Sequence, residues 1–184
     1  MNFLGFARTV GNLKRTKRSG WVRIGINNPE SIADHVFRTS MLALVFGNEL
    51  GGDINKLVKM ALVHDLAESL VGDIVVDRGG KTVGSPAEKH QKEAQAIKRI
   101  LKGLPQQDKL ILLWEEYEHQ QTIEARILKQ LDKLEMAVQA LEYESGVNHN
   151  KLDEFWESAR KYIQHPDIKR WFVEIEGKRS KISK

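Results

Sequence analysis

The segment Ala61-Leu62-Val63-His64-Asp65-Leu66-Ala67-Glu68 puts three ionisable side chains on a helix with almost no polar side to offer water. At about 100° per residue, Ile54, Leu57, Ala61, His64, Asp65 and Glu68 fall on one side. Val58, Met60, Leu62, Val63, Leu66 and Ala67 cover the remainder. A helix that is apolar nearly all round is a buried helix. Burying His, Asp and Glu there costs on the order of several kcal/mol unless a cation or polar partners satisfy them. The chain must therefore enclose this helix and bring it partners. Two readings of the pair stand: a core histidine bonded to a local carboxylate, or adjacent metal ligands with Glu68 one turn behind.

The rest of the chain is punctuated as helices. Asn28-Pro29-Glu30 reads as a start, with a cap, proline at the first position and an acid at the positive end, and Gly51-Gly52 stops that helix after Leu50. Asp53 caps a second helix to about Leu70, and Ser85-Pro86 opens a third to Lys102. Further helices are expected over 106–119, 122–145, 150–163 and about 167–176, with one more short helix at 2–13. Residues 73–85 form a glycine-rich loop, and Asp73–Asp77 is the one short strand candidate. With no linker long enough to split it, the chain is expected to be one all-α domain over 1–184, of about six to seven helices.

Zero cysteines exclude disulfides, thiolate nucleophiles and cysteine-bound zinc or iron–sulfur centres. No leader pattern and no apolar stretch near the roughly 18 residues of a membrane span lead to the expectation of a cytoplasmic protein without a membrane partner. The net charge of +4 is uneven: residues 1–28 carry six basic residues and no acid, and residues 169–184 six basic and two acidic. A basic rim around an acidic body suits an anionic ligand held near a cation, although basic ends also occur as solvated tails. Zinc-finger spacing and a Gly/aromatic RNA-binding signature are both missing, so no nucleic-acid partner is expected.

His35 shares a face with Ile32, Thr39, Leu42 and Phe46, whereas Asp34 and Ser40 point elsewhere. Two inward histidines on successive antiparallel helices are harder to dismiss than one. Asp132 offers a further ligand, but it sits roughly 130° from the apolar centre formed by Ile127, Leu131, Leu134 and Val138. By phase alone it reads as a boundary residue paired with Lys129 or Lys133.

Together His35…His64-Asp65…Asp132 form an H…HD…D pattern. With Gly20-Trp21-Val22-Arg23, Pro29-Glu30-Ser31-Ile32-Ala33-Asp34-His35, His64-Asp65-Leu66-Ala67-Glu68 and Val71-Gly72-Asp73-Ile74, the chain resembles the HD-domain metal-dependent phosphohydrolases. The resemblance is to the branch of the 5′-deoxynucleotidases and HD domain-containing protein 2, from about Leu13 to Tyr143. It implies an HD-domain fold with a central metal site whose ligands are His35, His64, Asp65 and Asp132. Glu68 and Asp73 are implied around the metal water and substrate, Glu68 handling a proton and Asp73 reaching the sugar hydroxyl. The mixed N/O donor set suits Mn²⁺, Co²⁺, Fe²⁺ or Zn²⁺ better than Mg²⁺.

The phosphate also needs a cation. Arg18 matches the basic position before the family's Trp, and Arg38 lies one turn beyond His35. Trp21 is placed to stack on a base; otherwise it is a core aromatic and Arg18 a solvated charge. Asp77 and Arg78 would border the site without an assigned role. The implied activity is release of phosphate from nucleoside 5′-monophosphates, deoxy forms preferred. The rivals are an HD hydrolase of a cyclic dinucleotide or alarmone, and a metal-stabilised binding or regulatory protein. Family members also dimerise, and Trp156 and Trp171 would serve either such a homodimer interface or the core.

Overall fold

Short polar side chains set most helix starts in the computed structural model, which describes residues 2–75, 85–146 and 148–182. Asn2 caps α1 (Phe3–Asn12), and a short α2 (Ser19–Arg23), not expected from the sequence, follows. α3 (Ile32–Phe46) begins at Ser31 rather than at Asn28. The Ser31 hydroxyl accepts from the Asp34 N–H while the Asp34 carboxylate accepts from the Ser31 N–H, so two orphan donors are satisfied at once. That reciprocal box outcompetes a lone Asn-Pro signal, and Asn28 instead adopts a left-handed φ of 52° in the approach to the helix.

Asp53 caps α4 (Ile54–Val63), and the expected single helix to Leu70 breaks there. The His64 ring takes the Ala61 carbonyl at 2.7 Å, and the following backbone bonds, Leu66 to Val63 and Glu68 to Asp65, close over three residues instead of four. The helix restarts as α5 (Glu68–Val71). Next come α6 (Pro86–Leu101) behind a Ser85/Glu88 capping box, α7 (Gln107–His119) and α8 (Ile123–Tyr143) capped by Thr122. A 3-10 turn (His149–Lys151), α9 (Asp153–Tyr162) and α10 (Pro166–Ile182), longer than expected, complete the chain. Among the described residues there is no strand, only an isolated bridge between Lys17 and Ser31.

α8 is the axis of the fold. It packs against α3, α4, α7, α9 and α10, and Leu128, Leu131, Ala137 and Ala140 on it are buried. A second core of Leu13, Ile32, Val36, Leu66, Ile97, Ile100, Leu101 and Trp114 ties α1 and α6 to the other side of α3. Both C-terminal tryptophans serve the interior: Trp156 is buried, and Trp171 lies 4.8 Å from Phe46. Arg179 fastens α10 by pairing with Glu144 at 2.5 Å and Asp153 at 2.6 Å. No helix among the described residues is long and apolar enough to cross a membrane.

Candidate metal centre

The mutual packing of α3, α4 and α8 brings four of the expected side chains together. His35 Nε2 lies 3.2 Å from Asp132 Oδ1 and 3.6 Å from Asp65 Oδ2, and His64 Nε2 lies 3.2 Å from that same Asp65 oxygen. His35, His64 and Asp132 each present one donor atom within 4.8 Å of the others. All three are buried.

The donor set fits a divalent cation on internal grounds. His35 Nε2, His64 Nε2 and Asp65 Oδ2 are buried without a hydrogen-bond partner, and all three face the same point. Both rings are occupied at Nδ1, His35 by Glu135 Oε2 at 2.5 Å and His64 by the Ala61 carbonyl, which turns each Nε2 toward the cluster. Electrostatics agree. Burial and Arg18 work against a charge on His35, yet Glu135 and Asp132 outweigh them and lift its pKa to about 9. Burial disfavours charge on Asp65 and Asp132 as well, but His64, His35 and Arg18 hold Asp65 low, and Lys133, His35 and Lys129 hold Asp132 low. Two carboxylates held in the ionised form and a histidine pushed toward its cationic form show that this point favours positive charge. Such N/O sets suit first-row divalent ions.

A cleft of about 260 Å³ opens beside this point. Glu68, the first residue of α5, lines it; burial first, then Asp65 and Asp73, push its carboxyl well up, and its Oε2 has no partner. Asp73 follows Gly72, whose φ of 74° turns the chain back toward α2. There Asp73 Oδ2 accepts from the Ser19 N–H at 2.7 Å and its carbonyl accepts from the Ser19 hydroxyl at 2.7 Å. Arg18, just before Ser19, sets its guanidinium 3.5 Å from Asp65 and 3.9 Å from Glu30. Burial opposes its charge, but Asp65, Asp73, Asp132 and Glu68 fix it firmly in the cationic form. Lys133 and Lys129 also border the cleft, 3.3 and 3.7 Å from Asp132 Oδ2.

Of two further expected substrate contacts, one lies away from the cleft and the other is enclosed at its edge. Arg38 turns along α8, bonding Gln139 at 2.9 Å and Glu142 at 3.0 Å, and does not line the cleft. One turn past His35, the α3 face meets the next turn of α8, and the acids there claim the guanidinium. Trp21 borders the cleft but is 1% exposed, stacked on Phe155 at 4.0 Å and edge-on to Tyr143, with its N–H donated to Glu30. No open face is left for a base to stack on. Ser40, expected to point outward, is also buried. Asp77 and Arg78 lie outside the described residues.

The cleft also contains Lys89, Glu93, Tyr117 and Glu118, which the sequence reading did not single out. Glu93 carried a signal: it precedes Ala96, Ile97 and Ile100 at spacings of three, four and seven, on the inward stripe of an otherwise polar α6. Burial raises its pKa to about 7 despite Lys89 at 3.6 Å. Glu135 carried the same signal, four residues after Leu131 and seven after Leu128.

Comparison with known proteins agrees with this geometry. A family model described as HD domain matches residues 10–172. The chain is 42% identical over 185 residues to the 5′-deoxynucleotidase HDDC2 of Bos taurus, covering 97% of this chain and 86% of that one. The human protein of the same name is also 42% identical, at 97% and 87% coverage. Among solved structures, the PH0347 protein of Pyrococcus horikoshii OT3 superposes with a TM-score of 0.78 at 31% identity, over 98% of this chain and 99% of its own.

Proposed function

The chain belongs to the HD domain family, and on that premise we propose that it is a metal-dependent phosphohydrolase releasing phosphate from nucleoside 5′-monophosphates, deoxy forms preferred. The name 5′-deoxynucleotidase carried by relatives of nearly the same length supports the reaction class. The observation that carries the reading is the convergence of three orphaned buried donor atoms with Asp132, beside a cleft holding Arg18 and Glu68.

His35, His64, Asp65 and Asp132 are the ligands in this reading, and Mn²⁺, Co²⁺, Fe²⁺ or Zn²⁺ suits them. A divalent ion held there supplies Lewis-acid polarisation and lowers the pKa of water. The chain's own residues do the rest. Arg18, permanently charged and anchored to Asp65, holds the phosphate dianion, and Lys129 and Lys133 add positive field from α8. Burial, Asp65 and Asp73 favour the protonated form of Glu68, which suits it to deliver a proton to the departing 5′ oxygen. Asp73, with one oxygen pinned by Ser19, is fixed at the cleft wall where a sugar hydroxyl would sit. With Trp21 enclosed, base identity is read weakly, and discrimination falls on the sugar and the phosphate. A homodimer has a candidate surface along the outer face of α3, where Phe37, Met41, Leu44 and Val45 are exposed.

The test is a panel of phosphate esters assayed with Mn²⁺ and with Co²⁺. The expected result is faster turnover of deoxyribonucleoside 5′-monophosphates than of the matching ribonucleotides. Cleavage confined to a phosphodiester or an alarmone would overturn the substrate while leaving the metal centre standing.

A further inference from the structure

His35 has a second partner that no reading of the family motif uses. Glu135 is fully buried on α8, one turn beyond Asp132, and its Oε2 takes the His35 Nδ1 proton at 2.5 Å. Its other oxygen has no hydrogen-bond partner, and the nearest cation is Arg38 Nε at 3.5 Å. A buried carboxylate is costly unless something uses its charge. We propose that Glu135 is the positioning residue of the metal centre: it fixes the His35 tautomer and ring orientation, and makes Nε2 a stronger donor toward the ion.

The argument is geometric. A histidine presents a lone pair at Nε2 only when its proton sits at Nδ1, and a carboxylate at Nδ1 holds it there more firmly than a carbonyl does. His64 has only the Ala61 carbonyl in that place. His35 is therefore the ring whose basicity the protein raises, and Glu135 is the group that raises it. Arg38, expected to meet the phosphate, stands behind Glu135. Glu30, His35 and Glu135 also lie within ion-binding range of one another. A cation there would have to take Nδ1, leaving His35 as an imidazolate between two ions, and Glu30 is already bonded to the Trp21 N–H. A proton between His35 and Glu135 meets the same need at far lower cost.

This inference rests on the metal-site reading above, so the experiment separates the two. Co²⁺ affinity is measured by chelator competition for the wild type, His35→Ala and Glu135→Gln, together with ¹H–¹⁵N spectra of the histidine rings. Glu135→Gln should bind Co²⁺ about 10–100-fold more weakly, the usual effect of removing such a partner. Its KM for substrate should be unchanged, because Arg18 is untouched. The wild type should show a far-downfield Nδ1 proton on His35 that moves upfield in the variant. A role confined to stability would lower Tm without changing the Co²⁺ affinity of the folded protein. Affinity within twofold of the wild type overturns the proposal. If Glu135→Gln does not fold, a wild-type His35 lacking its proton at Nδ1 overturns it equally. Should His35→Ala bind Co²⁺ as well as the wild type, the metal-site reading fails instead.

Discussion

His35 Nε2 stands 3.2 Å from Asp132 Oδ1, although Asp132 lies well off the apolar centre of its own helix. The explanation is that α8 has neighbours on nearly every side, so even the margin of its apolar stripe is interior. Asp132 also keeps the lysine partners that its phase suggested, Lys133 at 3.3 Å and Lys129 at 3.7 Å. Asp132 thus keeps its lysine partners while facing His35.

Asp132→Ala should therefore lose bound metal and nearly all activity, as should alanine at His35, His64 or Asp65. Thermal melting gives an independent check. At a free ion concentration near 100 times Kd, mass action stabilises a folded-state binder by about 2.7 kcal/mol. Added Mn²⁺ should raise the wild-type Tm and leave that of Asp132→Ala where it was. A variant with full metal content would remove Asp132 from the centre.

Glu68→Gln keeps the volume of the side chain and removes its acid. It should retain metal and lose kcat by about 10²–10⁴, the scale of a general acid or base. Metal loss would make Glu68 a ligand, and unchanged turnover would make it structural. Metal analysis beside steady-state kinetics reads all three.

If the guanidinium holds the phosphate as proposed, Arg18→Ala should raise KM for a nucleoside 5′-monophosphate more than it lowers kcat. The same change at Arg38, which faces α8 and not the cleft, should leave KM where it is. Asp73→Ala should narrow the ratio of deoxy to ribo turnover. A wider or identical ratio would take Asp73 off the sugar.

Glu93 gives a pH signature. Its folded pKa of about 7 exceeds the ordinary value of 4.5, because burial penalises the charged form. Its contribution to stability is thus full below about pH 4.5 and is lost as pH rises through 7. Glu93→Gln lacks that loss. The Tm of the variant relative to the wild type should climb between pH 5 and pH 8, and an identical offset at both values would refute the assignment.

Much of this was legible in the residues. The caps at Asp53 and Ser85 were local signals, and His35 and His64 showed their inward phase, whereas the helix expected to run to Leu50 ends at Phe46. What escaped was mostly tertiary, with one local side-chain bond besides. The break after Val63 depends on a histidine ring taking a carbonyl from its own helix, which periodicity cannot express. Trp21 sits among Phe155 and Tyr143 from distant helices, so its enclosure has no local mark. Arg38 shared a helix face with His35, but the acids that claim it belong to another element.

The His35 ring lies between two side chains of one helix, Glu135 bonded at Nδ1 and Asp132 facing Nε2 from 3.2 Å. They stand three residues apart on α8, so one rigid rod carries both jaws of the clamp. If α3 and α8 drift apart, neither jaw can yield while the other stays closed. On the proposed metal-site reading, any movement of α3 against α8 would disturb both sides of the imidazole together, so the fit of the ion would depend on how firmly that one helix contact is packed.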